Sequence, residues 1–459
     1  MSVSGPLGAT DSGAVQIRAP RTRARARALG DRAGLIAIAG LLVTTTLIAL
    51  GAARTNVLVP QSVRPLPTWL AGPFGNSGLS LGWGGAIAVL TVMFVAYVVA
   101  ANAADRLSAR TVLMTIAAMN ALILLAPPLL STDVFSYQFY GRMAELYGAN
   151  PYLAGPHALA LDPLYPFIGS KWINTPTVYG PLFTALSYVL APLSIARSVL
   201  AYKAIAAVSS LALVALVWHS ARRRGLNQVR AVALVGLNPL IVIYGVGGGH
   251  NDLLMMVILM AGVYLMLAQR ERSGAAMMVA ASAIKLTAGV LLAFAVASGG
   301  GRRARDHRRD VVIGAAAAGL LFFGLAFLWF GSGPLHLFAT VQKVQSEGDW
   351  HSVPGFLGAE LGSTFGHIAG ILLGVMFAGL CVWLLWRVWH GRTDWIDAGA
   401  WTALGLLATA SSLLPWYVAW LLPLAALAIN PRLWKLAIVT TGVVELIQLI
   451  GYLPHPLVH

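Results

Sequence analysis

One polar stretch in a mostly apolar chain gathers the residue types that could do chemistry: Ser131-Thr132-Asp133-Val134-Phe135-Ser136-Tyr137-Gln138-Phe139-Tyr140-Gly141-Arg142. On a helix, Asp133, Tyr137 and Tyr140 fall on one face, at i, i+4 and i+7. The surrounding segment 131–180 holds ten aromatic residues but only three acids, Asp133, Glu145 and Asp162. Aromatic rings offer flat apolar faces to sugar C–H groups, and a carboxylate can take a hydroxyl proton. The mixture therefore suits a carbohydrate, with Asp133 as the candidate base. A plainer account has Asp133 capping a short interfacial helix and the tyrosines forming an aromatic belt. Asn150-Pro151-Tyr152 and Tyr179-Gly180-Pro181 read as turns, because proline pushes the residue before it into an extended conformation. Loop closure alone would explain them.

Three further polar knots stand out. Gly247-Gly248-Gly249-His250-Asn251-Asp252 separates two apolar runs. Its glycines break one helix and allow close backbone approach, and Asn251 or Asp252 can cap the next, whose N-terminus favours an anion. The spacing is not specific for a metal. Lys285 lies inside an apolar segment, where an ammonium costs about 2.5–3.5 kcal/mol and usually faces a cavity or a partner. A lipid phosphate is a natural partner; snorkelling to the interface is the alternative. Trp350 and His351 end the polar part of segment 331–367, and Trp416 and Trp420 share a helical face in Pro415-Trp416-Tyr417-Val418-Ala419-Trp420. Both could equally be aromatic belt or solvated loop.

The elements that must position these residues are membrane helices. Of 459 residues 58% are hydrophobic and only 10% charged, too few charges to cover a soluble surface of that size. Apolar runs without strand-like alternation recur, each near the roughly 20 residues that cross a hydrocarbon core of about 30 Å. The expected fold is therefore all-α, a polytopic transmembrane bundle with about 11 full crossings: 33–52, 83–101, 111–130, 200–218, 231–247, 252–268, 311–330, 368–388, 398–414, 416–430 and 432–452. The net charge of +15 sits in short clusters beside the spans: Arg21 to Arg32, Arg222 to Arg224, and Arg302 to Arg309. That marks the cytoplasmic side and contact with membrane lipids; no aromatic residues interleave, so no nucleic acid is expected. With these clusters inside, residues 131–180 lie outside. Parity then makes 181–196 a short segment dipping into the outer interface, and 274–298 a broken hairpin with Lys285 near its turn. Four regions follow: a basic disordered cytoplasmic tail (1–32), N-terminal transmembrane helices (33–110), a catalytic core with its outer loop (111–330), and an outer loop with C-terminal helices (331–459). The one cysteine, Cys381, lies in a span, which excludes an internal disulfide.

Taken together, Ser131 to Tyr137 with Tyr140-Gly141-Arg142, Asn150-Pro151-Tyr152, Tyr179-Gly180-Pro181-Leu182, His250-Asn251-Asp252 and Pro415-Trp416-Tyr417 resemble membrane glycosyltransferases of the GT-C superfamily. The resemblance is closest to the actinobacterial polyprenol-phosphomannose-dependent α-(1→6)-mannosyltransferases of lipomannan assembly, and covers roughly residues 80–455. It implies an inverting plasma-membrane enzyme working on the extracytoplasmic face. Its donor would be a polyprenyl-phosphate sugar, its acceptor a mannosylated lipid, and it would need no cofactor and no metal. The superfamily's outer-loop aspartate lands on Asp133 as base. Tyr137, Tyr140, Arg142 and Tyr152 would position sugars. His250, Asn251 and Lys285 would hold the donor phosphate or its sugar, Asn150, Tyr179, Asp252, Trp350 and His351 would add substrate contacts, and Trp416 and Trp420 would line the prenyl path. Such enzymes often carry two acids at this place; only Asp133 stands here. Another sugar, such as arabinose or glucose, and a transporter of lipid-linked saccharide are the competing readings.

Overall fold

The computed structural model describes residue 1 and residues 20–54, 56–75, 77–299 and 304–451. The rest of the expected tail, residues 2–19, and Arg302 and Arg303 lie outside the described residues. Among the described residues the regular structure is helical throughout, as lipid demands when every backbone polar group must be satisfied within its own segment. The helices are α1 (Pro20–Arg54), α2 (Trp83–Ala103), α3 (Ala109–Leu125), α4 (Asp133–Tyr147), α5 (Pro181–Leu190), α6 (Ile195–Arg223), α7 (Gln228–Gly236), a π-helix (Leu240–Val246), α8 (Asn251–Leu267), α9 (Glu271–Ser282), α10 (Val290–Ala297), α11 (Ala304–Phe330), α12 (Leu337–Ser346), α13 (Val353–Leu361), α14 (Ser363–Trp389), α15 (Trp395–Thr409), α16 (Val418–Leu427) and α17 (Pro431–Ile450). α1 starts before the expected edge at 33, so part of the expected tail is helical.

Six helices are long and apolar enough to cross a membrane, in α1, α2, α6, α11, α14 and α17, and a seventh span exists if α7 and the π-helix count as one. The other four expected crossings are shorter: α3 and α8 have 17 residues each, α15 has 15 and α16 has 10. Length is lost at breaks that hydropathy does not see. α3 stops before Pro127-Pro128, and α7 meets the π-helix at 49° across Asn238-Pro239. There Asn238 Oδ1 accepts the freed N–H groups of Leu240 (3.0 Å) and Ile241 (3.3 Å). Segment 181–196 is the short α5 followed by the start of α6, and 274–298 is broken at Lys285, which is extended at φ −151°.

α1 packs on α2 and α3, α6 on α8, α8 on α9, and α9 on α11, while α16 packs against α6, α7, α8, α15 and α17. The buried core gathers there, with Tyr97, Phe135, Val199, Leu234, Met260 and Leu421. α14 is different: Ile371, Val375 and Val382 are more than half exposed, the pattern of a helix that faces lipid. Ion pairs tie the basic ends together at one end of the bundle. Arg224 meets Asp394 at 2.9 Å, and Arg272 meets Asp310 at 2.9 Å. At the other end, Asn150 Nδ2 donates to the Phe330 carbonyl (2.8 Å) and Ser62 Oγ to that of Phe167 (2.7 Å). Segment 131–180 thus lies away from the arginine-rich ends.

Candidate active site

Asp133 is placed by a chain of backbone constraints. α3 ends at Pro127-Pro128, whose missing N–H groups cannot continue it. The Lys203 ammonium, buried in α6, donates to the carbonyls of Ala126 and Pro127, the latter at 2.9 Å. Leu129 N–H bonds the Gly247 carbonyl (3.0 Å), which docks this strand of chain on the glycine turn. Leu130 then sits at φ +56°, a left-handed conformation that costs a branched residue about 1–2 kcal/mol. Ser131 Oγ accepts from Asp133 N–H (3.2 Å), and α4 begins.

Thr132, not Asp133, is the N-cap, and its side chain makes no capping bond. The Asp133 carboxylate instead turns sideways. Its Oδ2 lies 3.4 Å from Tyr137 Oη and 3.4 Å from His250 Nδ1. Tyr137 Oη is also 3.5 Å from His250 Nδ1 and from Asn251 Oδ1. These separations are long for hydrogen bonds. Burial first, then the Asp133 charge, holds the Tyr137 phenol well above its usual range, so it stays a donor. Among the described residues no hydrogen bond reaches Asp133 Oδ1, and the side chain keeps 12% exposure. Tyr179 and Phe183 meet the Tyr137 ring edge-on at 4.9 Å and 4.8 Å.

Opposite Asp133 stands the glycine turn. Gly249 is at φ +64°, and a Cβ there would lie 2.6 Å from Val134 Cγ1, so only glycine lets this turn approach α4. The turn presents His250, Asn251 and Asp252, each at most 2% exposed. His250 stacks on Trp416 with centroids 3.5 Å apart. Asp252 Oδ1 accepts from Trp420 Nε1 (2.7 Å) and pairs with Lys285 Nζ (2.8 Å). Lys285 also lies over the rings of Tyr417 (4.8 Å) and Trp420 (5.2 Å). Three buried atoms of the turn, His250 Nε2, Asn251 Nδ2 and Asp252 Oδ2, have no hydrogen-bond partner among the described residues. An unpartnered buried polar atom costs about 1–3 kcal/mol, so three adjacent ones mark a place built for something polar.

The break at Lys285 belongs to the same assembly. Gly180 N–H bonds the Ile284 carbonyl (2.9 Å) and Leu182 N–H that of Ala283 (3.0 Å). A Cβ on Gly180 would lie 2.3 Å from the Ala283 oxygen. The Tyr179-Gly180-Pro181 turn thus stitches loop 131–180 to the end of α9 and sets Lys285 beneath the aromatic cluster.

Of the residues singled out in the sequence, Asp133, Tyr137, Tyr179, His250, Asn251, Asp252, Lys285, Trp416 and Trp420 come together. The others serve neighbouring structure. Tyr140 Oη donates to the Thr175 carbonyl (2.8 Å). Arg142 grips Asp162, with Nη2–Oδ2 at 2.7 Å and Nε–Oδ2 at 3.0 Å, while Tyr147 Oη and Leu164 N–H complete that carboxylate's shell. Asn150 bonds Phe330, and Tyr152 Oη reaches the Tyr179 carbonyl and Thr184 Oγ1, both at 3.0 Å. Trp350 and His351 lie elsewhere: His351 Nδ1 bonds Asp349 Oδ1 (2.7 Å), and Asp349 N–H bonds the Ser411 carbonyl. Lys203 and Tyr417 were missed. Lys203 carried a signal, as the one lysine inside a 29-residue apolar helix. Among the described residues no three His, Cys, Asp or Glu side chains converge as a metal site would require.

Fold and cluster together define a helical membrane protein with a polar, aromatic-walled site at one end of its bundle. The chain matches the family described as alpha-(1->6)-mannopyranosyltransferase, N-terminal domain, over residues 34–299, and the MptB C-terminal domain over residues 355–450. The first match alone covers more than half of the chain, which therefore belongs to the alpha-(1->6)-mannopyranosyltransferase family. It is similar to alpha-(1->6)-mannopyranosyltransferase A of Corynebacterium glutamicum, 30% identical over 33% of this chain and 31% of that one. A probable alpha-(1->6)-mannopyranosyltransferase of Mycolicibacterium smegmatis is 33% identical over 28% of this chain and 24% of its own length. An alpha-(1->6)-mannopyranosyltransferase of Mycobacterium tuberculosis is 32% identical over 28% and 22%. The chain thus spans less than a third of each of these curated relatives in the stretch it matches. No solved structure matches it.

Proposed function

We propose that the chain is an inverting glycosyltransferase that moves mannose from a polyprenyl-phosphate donor to a mannosylated lipid acceptor, forming an α-(1→6) bond. The reaction takes place on the outer face of the plasma membrane, where loop 131–180 lies if the arginine-rich ends face the cytoplasm. The reading keeps about 11 full crossings, with 181–196 and 274–298 as partial or re-entrant segments, and the fourfold division of the chain. Family membership supports the reaction class.

The observation that carries the mechanism is the sideways Asp133 carboxylate, one oxygen held by Tyr137 and His250 and the other open. An acceptor hydroxyl oxygen attacks the anomeric carbon of the donor. The carbon–oxygen bond to phosphate breaks on the far side, and the hydroxyl proton passes to Asp133. Polyprenyl phosphate leaves with the bonding electron pair and needs no acid. One displacement inverts the carbon, so a β-linked donor yields an α-linked product. Lys285 spends one of its three N–H donors on Asp252 and keeps the others for the donor phosphate. The unpartnered atoms of His250, Asn251 and Asp252 are suited to sugar hydroxyls. Arg142, Asn150 and Tyr152 hold the loop in shape and do not touch the sugar in this mechanism.

The test is to give the purified protein polyprenyl-phosphate mannose, arabinose and glucose in turn with a mannosyl lipid acceptor, and to determine the linkage formed. An α-(1→6) mannosyl product is expected. Transfer of a different sugar in preference, or passage of a labelled lipid-linked sugar across vesicles without a new glycosidic bond, would overturn the proposal.

A further inference from the structure

The arginines at the basic end of the bundle fall into two sets. Arg224 and Arg272 pair with Asp394 and Asp310. Arg308, Arg387 and Arg392 meet no carboxylate among the described residues, and each lies over a tryptophan of α14 instead. Arg308 stands 3.6 Å from the centroid of Trp389, Arg392 4.7 Å from that of Trp386, and Arg387 4.9 Å from that of Trp383. A ring engages the face of a guanidinium and leaves the N–H donors at its rim for the oxygens of an anion. Arg308 commits Nη2 to the Gly299 carbonyl (3.1 Å), while its Nε is buried and has no partner among the described residues. Arg387 commits Nε to Thr393 Oγ1 (2.8 Å) and Nη2 to the Arg392 carbonyl (3.3 Å). Among the described residues the Arg392 side chain engages only the Trp386 ring.

The tryptophans belong to the lipid-facing side of α14. Ile371, Val375, Val382, Trp386 and Trp389 succeed one another at helical spacing, and Trp383, Trp386 and Trp389 are each about half exposed. One surface therefore joins a hydrocarbon stripe to guanidinium groups that lack an anion. Arg308 is its hub, springing from α11, resting on α14 and bonding the chain just past α10. A nucleic acid or an acidic protein would match the charge and leave the stripe uncovered. A zwitterionic lipid would match the stripe but bring its own cation against the arginines. A lipid with a net negative head answers both. The surface lies at the end of the bundle away from Asp133, so nothing in it rests on the reading of the reaction.

We propose that this surface binds one anionic phospholipid of the adjoining leaflet. Its phosphate oxygens accept from Arg308 and Arg392, Arg387 adds charge beside them, and its acyl chains lie along Val382, Val375 and Ile371. Trp386 and Trp389 are neighbours at i and i+3, so the guanidinium groups of Arg392 and Arg308 lie over adjacent rings. A head group held there ties α11 to α14 beside the end of α10.

Two measurements test it. The full-length protein, stripped of lipid in detergent, is titrated with dioleoyl phosphatidylglycerol, and bound lipid is counted by native mass spectrometry. A first lipid should bind tighter than those that follow, and tighter than dioleoyl phosphatidylcholine. Arg308→Gln should weaken that first lipid by about tenfold or more, the worth of one hydrogen bond to a charged group. Arg308→Lys should weaken it nearly as much, because an ammonium offers no planar fork to a phosphate. Binding without a tighter first lipid, equal affinity for the two lipids, or full rescue by lysine would overturn the proposal and leave an aromatic belt that attracts charge loosely. Arg308 also holds Gly299, so Arg392→Gln serves as the variant that breaks no hydrogen bond among the described residues. It should weaken the first lipid and leave the unfolding temperature in lipid-free detergent unchanged, and undiminished binding there counts against the site. The second measurement needs no variant. A phosphatidylglycerol with a diazirine on its head group should label wild-type protein within 305–309 or 383–392, and labelling confined elsewhere sinks the idea.

Discussion

Asp133→Asn isolates chemistry from architecture. The variant keeps the side chain's size and one oxygen to accept from Tyr137, now 3.4 Å from Asp133 Oδ2. The helix start should hardly notice, because the N-cap is Thr132 and the Asp133 side chain bonds no backbone N–H of α4. What stability is lost comes from removing a negative charge at a helix N-terminus, about 0.3–1 kcal/mol. Turnover is another matter. With no carboxylate to take the acceptor proton, kcat should fall by about 10²–10⁴, a barrier increase of about 3–5 kcal/mol. Donor affinity should stay within about twofold, since Lys285 and the His250 turn are untouched. The assay is transfer from polyprenyl-phosphate mannose at saturating donor, with donor binding and thermal unfolding measured on the same detergent preparation. Asp133→Glu keeps the carboxylate one methylene too far forward and should fall between the two. An Asn variant within about threefold of wild-type turnover would refute Asp133 as the base.

Asp162 makes a pH prediction. Burial pushes its carboxyl up, but the bonds from Arg142, Tyr147 and the Leu164 N–H outweigh this and hold it below the usual carboxylate range. Its contribution to stability is therefore complete above about pH 4, the unfolded value, and drains away as pH falls through the lower folded value. Asp162→Asn should cost about 2–3 kcal/mol at neutral pH and flatten the acid limb of an unfolding-midpoint profile. Lys203→Met leaves the carbonyls of Ala126 and Pro127 without their donor; unfolding temperature and kcat should both drop, whereas a surface lysine would move neither. Chelation should leave transfer intact, and activity lost to chelator and restored by a divalent ion would make His250 and Asp252 ligands instead. In a Cys381→Ala background, a cysteine at position 305 should resist impermeant reagents in intact cells while one at position 161 reacts, and the reverse would invert the membrane orientation.

The apolar helices were legible because lipid leaves a backbone few choices, and runs such as α2, α11 and α14 announce themselves by length. Helix ends were less legible. Pro423 sits inside α16, and the α7–π-helix bend depends on Asn238 turning its side chain onto its own backbone. The individual knots around Asp133, His250, Lys285 and Trp416 could be picked out as polar groups in costly places. Their convergence could not, since His250 and Trp416 meet across 166 positions of chain. Arg142 and Tyr152 show the opposite failure. They are polar, aromatic or charged, and close to Asp133 in sequence, yet their bonds serve the loop. Nothing in spacing distinguishes a residue that touches a ligand from one that braces its neighbour.

The stitch between the loop and the end of α9 has a bearing on how such chains diverge. Gly180 and Leu182 meet Ala283 and Ile284 through peptide groups alone. Three of those four positions can therefore exchange side chains over generations without altering the join. Gly180 cannot, because any Cβ would collide with a carbonyl oxygen. In a set of diverged sequences, the whole joint would leave a single immobile letter as its trace, and a reader who counts matching letters would pass over the seam that holds two halves of the site in register.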